Sequence, residues 1–114
     1  MIPIMSASSP VPAAIRAMTV ADLPAALQLW SATEGVEVAE GDRPGELARF
    51  LERNPGFSTV AEEDGALVGA VLCGHDGRRG YIYHLAIRAD RRGRELGRRI
   101  MQRSLGLQIG RGHV

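Results

Sequence analysis

The apolar positions of this 114-residue chain follow two different periods, and the switches between them mark its elements. Ile15-Arg16-Ala17-Met18 alternates in twos and predicts a short strand. Thr19 is placed to cap a helix, with Asp22 three residues on as its partner and Pro24 in the first turn. Leu23, Ala26, Leu27 and Trp30 then share one face at helical spacing, so this helix packs on a core and ends near residues 33–35. Trp30 is expected inside that core. Asp42 is positioned to cap a second helix carrying Glu46, Leu47, Phe50 and Leu51, which Asn54-Pro55-Gly56 stops.

Residues 57–62 have strand character, and Asp64-Gly65 is a strong two-residue hairpin signal. The returning run, 67–74, is almost continuously apolar, as expected of a strand covered on both faces. After a polar turn at 75–80, residues 81–87 form a third β segment of the hairpin region. Residues 90–93 lack periodicity. A last helix is expected from Arg94, with Leu96, Ile100 and Leu105 facing inward until Gly106, Gly110 and Gly112 break the pattern. The order β-α-α-β-β-β-α, with antiparallel hairpins between helical ends, predicts an α+β fold. Residues 1–14 are expected to be a loose leader and 15–114 a single domain.

Composition sharpens this picture in three places. The aromatic share is only 4%, so the core must be aliphatic. Cys73 is the single cysteine, which excludes an internal disulfide and suits a reducing, cytoplasmic setting. Its neighbours Val71 and Leu72 suggest an inert buried thiol. No apolar run approaches the ~18 residues that span a bilayer, so no membrane role is expected. Charge carries more information. All fourteen basic residues are arginine, and nine lie between Arg78 and Arg103 against only Asp90 and Glu95. Such a patch favours a polyanion or a phosphorylated cofactor.

The strand at 81–87 runs through Arg-Ala-Asp-Arg-Arg-Gly-Arg into an arginine-rich helix. A strand-loop-helix unit presents unpaired backbone N–H groups and the positive end of the helix dipole, a setting that binds phosphates. Gly93 and Gly97 allow close approach of the backbone, and the arginines add charge-assisted bonds. On physical grounds alone this is a diphosphate-binding turn.

His84-Leu85-Ala86-Ile87 followed by Arg92-Gly93-Arg94-Glu95-Leu96-Gly97-Arg98 resembles the signature of the GNAT N-acetyltransferases, Gln/Arg-x-x-Gly-x-Gly/Ala after an apolar strand end. Asp64-Gly65-Ala66-Leu67-Val68-Gly69 is similar to that family's turn into its third strand. The resemblance covers residues 15 to about 105 and implies a GNAT-like acyl-CoA N-acyltransferase fold, truncated before the usual C-terminal β-α-β-β. It further implies acetyl-CoA as co-substrate and a primary amine, on a small molecule or a protein, as acceptor. Leu85, Ala86 and Ile87 would offer backbone groups to the pantetheine arm. Arg92 and the turn Gly93, Arg94, Glu95, Leu96, Gly97 and Arg98 would hold the pyrophosphate. Transfer would be direct, a base deprotonating the ammonium and an acid protonating the leaving thiolate.

Two departures stand out. Glu95 occupies a motif position where the family prefers Gly, and two unit charges about 4 Å apart interact by about 4 kcal/mol at an effective dielectric of 20. Its carboxylate would crowd the pyrophosphate unless Arg91, Arg94, Arg98 or Arg99 draws it aside, or it simply suits the first turn of the helix. The missing C-terminal part would also leave Tyr81 to Ile87 as a bare edge, which a homo-oligomer would cover.

Tyr83 and His84 lie near the expected acyl position, although packing is the commoner role of such residues. Alternation should place them on opposite faces of the strand, excluding a shared cleft. Glu34, Glu37 and Glu40 are acidic candidates for amine recognition that equally suit a solvated loop. His75 beside Asp76 falls short of a metal site, and no metal is expected. Nucleic acid is not favoured, because stacking aromatics and helix-turn-helix spacing are both missing. A non-catalytic, degenerate GNAT half acting as a dimerising or anion- or nucleic-acid-binding module is the alternative.

Overall fold

The structure is a computed structural model that describes residues 13–38, 43–93 and 95–112, with side chains described to residue 106. Strand β1 (Ala14–Ala17) leads through a short 3-10 turn (Val20–Asp22) into helix α1 (Leu23–Ala32), followed by α2 (Pro44–Arg53). Strands β2 (Thr59–Glu63), β3 (Ala66–His75) and β4 (Gly80–Ile87) then precede a second 3-10 turn (Ala89–Arg91) and helix α3 (Leu96–Gly112). The strands form one antiparallel sheet in the order β1-β2-β3-β4. The expected α+β order is therefore found.

The turns form where the local chemistry asks for them. Asp64 and Gly65 take φ of 52° and 80°, the two left-handed positions of a tight hairpin. Thr19 and Asp22 make a reciprocal capping box, the Thr19 amide reaching the Asp22 carboxylate at 2.8 Å. The expected Asp42 cap lies outside the described residues, as do 1–12; Arg43 takes the N-cap position of α2. Ala13, ahead of β1, is buried in the core.

The sheet is packed on both faces. Helices α1 and α2 cover one with Met18, Leu23, Ala26, Trp30, Leu47 and Leu51 against Val60, Ala70, Leu72 and Ala86. Trp30 is fully buried, and its indole N–H donates to the Ala70 carbonyl at 3.3 Å. Helix α3 covers the other, setting Leu96 and Ile100 among Phe57, Ala61, Val68, Val71 and Cys73. Gly69 permits this approach: a Cβ there would lie 2.7 Å from the Ile100 side chain and 2.9 Å from that of Ile87. Burial raises the pKa of the Cys73 thiol, as expected of an inert cysteine.

Helix α3 departs from the sequence expectation in three ways. It begins at Leu96 rather than Arg94, and its backbone continues to Gly112 through the glycines expected to stop it. Its buried face runs Leu96, Ile100, Ser104, whereas Leu105 is exposed. Four-residue spacing continues the stripe to Ser104, and five would leave it. The Ser104 hydroxyl is buried at no cost in unmade bonds: it donates to the Phe57 carbonyl and lies 2.6 Å from the Thr59 hydroxyl.

Candidate functional site

β4 brings the candidate residues to one edge of the sheet. Its pairing with β3 starts as His75↔Gly80, Gly74↔Tyr81 and Cys73↔Ile82, but resumes as Val71↔Leu85, Ala70↔Ala86 and Gly69↔Ile87. Between those blocks β4 advances three residues while β3 advances two, so β4 carries one extra residue at Tyr83-His84.

That bulge corrects the expectation that Tyr83 and His84 face opposite ways. The Tyr83 ring meets Phe50 of α2 edge-on at 5.6 Å, and the His84 ring lies 5.2 Å from Trp30 of α1. Both therefore look toward the helical face on which α1 and α2 sit. Tyr81, which sequence reading did not single out, stacks on Tyr83 at 6.1 Å, and its hydroxyl donates to Asp76 at 2.7 Å. Its pKa is raised by that bond. Asp76 is held down to about 2, chiefly by the Arg79 amide, then by the Tyr81 hydroxyl and the Arg78 amide. A sequence signal for the bulge would have needed a break in alternation, and Tyr-Ile-Tyr-His offers none.

The other side of β4 is open. Ile82, Tyr83 and Leu85 are exposed at 46, 52 and 38%, and no described strand pairs beyond β4. The backbone of Leu85, Ala86 and Ile87 runs along this free edge directly into the basic turn.

In that turn, Gly93 and Glu95 both have positive φ, 81° and 64°. The first helical bond of α3 is Arg99 N–H to the Glu95 carbonyl at 3.0 Å. The amides of Gly93, Glu95, Leu96 and Gly97 precede it and meet no acceptor from the described residues. They are the orphan donors of a helix start, gathered with the positive end of the dipole. Gly97 is open to approach, since a Cβ there would meet only Ile87 at 3.8 Å. Arg94 lies outside the described residues.

The arginine cluster divides into structural and solvent-facing groups. Arg91 reaches the Glu63 carboxylate at 2.7 Å, Arg99 the Ala13 carbonyl at 3.3 Å, and Arg103 the Gly56 carbonyl at 2.8 Å. These fasten the turn and α3 to the sheet. Burial lowers the Arg103 pKa. Arg88 pairs with Asp90 at 2.7 Å. Arg92 donates to the Ile87 carbonyl at 3.1 Å, which sets its guanidinium across the junction of β4 and the turn. Glu95 forms an exposed ion pair with Arg98. Its left-handed backbone corrects the reading that it suits the first turn of the helix: it lies one residue ahead of α3.

An open cleft of about 550 Å³ lies between α1 and the β2–β3 hairpin, lined by Arg16, Asp22, Gln28, Glu62, Leu67 and Arg88 among others. Its charged groups largely satisfy one another, with Arg16 bonded to both Asp22 and Glu62, and it does not include residues 92–98. Glu34 and Glu37 are exposed, and Glu40 lies outside the described residues. No described helix is long and apolar enough to cross a membrane.

Comparison with known proteins gives the chain's family and supports its fold. The chain matches the model of the acetyltransferase (GNAT) family over residues 23–112. It is 33% identical over 91 residues to an acetyltransferase of Pectobacterium atrosepticum, covering 80% of this chain and 64% of that one. Among solved structures it resembles Ard1 from Thermoplasma volcanium, at a TM-score of 0.75 and 16% identity over 90% of this chain and 67% of that one. It also resembles Arabidopsis thaliana Naa50 in complex with the bisubstrate analogue CoA-Ac-MVNAL, at a TM-score of 0.66 and 19% identity, covering 85% and 64% of the two chains. The chain spans less than two thirds of the curated relatives it matches. It belongs to the GNAT acetyltransferase family.

Proposed function

We propose, from that membership, that the chain binds acetyl-CoA and takes part in moving its acetyl group to a primary amine. The observation that carries this reading is the row of amides at Gly93 and Glu95–Gly97 that meet no acceptor among the described residues, set where the β4 edge ends. Oriented donors at a helix start favour a diphosphate. The free main chain of Leu85, Ala86 and Ile87 suits the amides of a pantetheine arm, as an added strand would. Arg92, with no carboxylate partner among the described residues, supplies charge beside both. The bisubstrate analogue CoA-Ac-MVNAL held by the structurally similar Naa50 is consistent with the same ligand class.

In the proposed transfer a neutral amine attacks the thioester carbonyl, a C–N bond forms, the C–S bond breaks, and the proton lost by the attacking nitrogen is balanced by the one the thiolate takes up. His84 and Tyr83 are the proton-transfer candidates that this chain supplies, and the bulge gives them a common face. The acceptor is a primary amine of a small molecule or a protein. The β4 edge, which no described strand pairs, suits a homo-oligomer that covers it, and the single buried cysteine is compatible with a cytoplasmic setting.

Calorimetric titration with CoA tests the reading. One saturable site per chain is expected, weakened about tenfold or more by Arg92→Ala, the range for losing a charge-assisted bond. Heat that never saturates, or no heat, overturns it. Release of free thiol from acetyl-CoA in the presence of amines tests the transfer step. Analytical ultracentrifugation tests assembly, and a monodisperse monomer would rule out the oligomer.

A further inference from the structure

We propose that Glu95 is a built-in competitor at the anion site: its carboxylate engages Arg98 beside the open amides, and a diphosphate gains that arginine only by displacing it. This rests on the acetyl-CoA reading and adds a residue that tunes affinity.

Three observations carry the inference. The first is where the side chain starts. Glu95 has φ of 64° and precedes Leu96, the first residue of α3, so it springs from the turn that holds the free amides and not from the flank of the helix. Residues other than glycine seldom adopt this backbone, so the carboxylate stands at a position that favours glycine.

The second is its partner. Arg98 binds Glu95 and no other described group. The two side chains are 66% and 64% exposed, so the pair lies in water and can open at little cost.

The third is the commitment of the neighbouring cations. Arg88 and Arg91 are held by Asp90 and Glu63, and Arg99 and Arg103 by main-chain carbonyls of the sheet side. Arg98 is thus the described cation at the start of α3 whose release changes nothing in the packing. Glu95 cancels its charge, and the same carboxylate would repel a phosphate brought to the Glu95–Gly97 amides. Like charges set side by side across a contact are a strong source of discrimination.

Three proteins separate charge from backbone strain. Glu95→Gln keeps the strained φ and the side-chain bulk but removes the charge. Glu95→Gly removes charge, bulk and strain together. Both are titrated with CoA and with pantetheine, which lacks the diphosphate, at one fixed ionic strength. Glu95→Gln is expected to bind CoA about tenfold more tightly than the wild type, with pantetheine unchanged, because repulsion acts on the phosphates alone. Glu95→Gly should match or exceed it. Unchanged or weaker CoA binding by Glu95→Gln overturns the competitor role, and so does an equal gain for pantetheine. If none of the three proteins binds CoA, the acetyl-CoA reading fails and this inference falls with it.

Discussion

Two arginine–carboxylate contacts, at opposite ends of the chain, show how one chemistry serves two ends. Arg16 grips Asp22 through two bonds of 2.7 and 2.9 Å and reaches Glu62 at 3.0 Å, joining β1, the 3-10 turn and β2. The Asp22 side chain is only 11% exposed and also accepts the Thr19 amide. Arg98 and Glu95 are three residues apart in sequence and open to water. The first contact joins segments distant in sequence in a shielded place, where charge-assisted forks are strong. The second spans one helical turn at the surface, where such pairs contribute ~0–1 kcal/mol. Stability is concentrated in the one, leaving the other free to open in water.

The sharpest way to break this contrast is at Asp22. Asp22→Ala removes both guanidinium bonds and the cap, and should lower unfolding free energy by about 2–3 kcal/mol. Urea denaturation measures it; a loss below ~0.5 kcal/mol would make the two contacts equivalent. Acid probes the same place. The Arg16 guanidinium, foremost, holds the Asp22 carboxyl below its ordinary value. A depressed acid contributes its stability above the unfolded pKa, ~3.9, and loses it as pH falls through the lower folded value. Unfolding free energy should therefore drop as pH goes below about 4, and Asp22→Asn should flatten that slope. Asp76, held at about 2, adds to the loss in the same direction.

Smaller effects sharpen the other side of the comparison. Glu95→Gly should raise stability by roughly 0.5–1 kcal/mol, since glycine adopts positive φ without strain. Thermal melting detects this, and a lower Tm would mean that the Arg98 pair outweighs the strain. Arg98→Ala should be nearly silent, within about 0.5 kcal/mol of the wild type. A larger loss would show that this exposed pair is structural after all.

Much of the fold could be read from periodicity and turn chemistry. Asp64-Gly65 fixed a hairpin, the stripe of Leu23, Ala26 and Trp30 fixed the buried face of α1, and the apolar run after Ala66 marked a strand covered on both sides. The basic turn at 88–98, on which the proposed anion site rests, was legible as a positive loop ahead of a helix because a glycine-containing loop between a strand and a helix leaves donors unmade wherever it occurs. Tyr83 and His84 were assigned to opposite faces because alternation assumes uninterrupted pairing, and the bulge depends on how β4 registers against β3. Leu105 was placed inward because it is apolar, yet it lies one residue past the stripe of Leu96, Ile100 and Ser104, and the buried Ser104 hydroxyl is tolerable only once Thr59 and the Phe57 carbonyl are beside it.

Local terms therefore belong to the residues alone: which segments coil, which extend, where the chain must turn, and that a positive loop precedes the last helix. They act over a few neighbouring residues and need no knowledge of what lies across the core. The face on which His84 stands, the division of arginines between the sheet and solvent, and the left-handed placement of Glu95 arise only when distant segments meet. Each depends on partners 20 to 90 residues away or on a backbone held by its surroundings, and no short-range pattern encodes them.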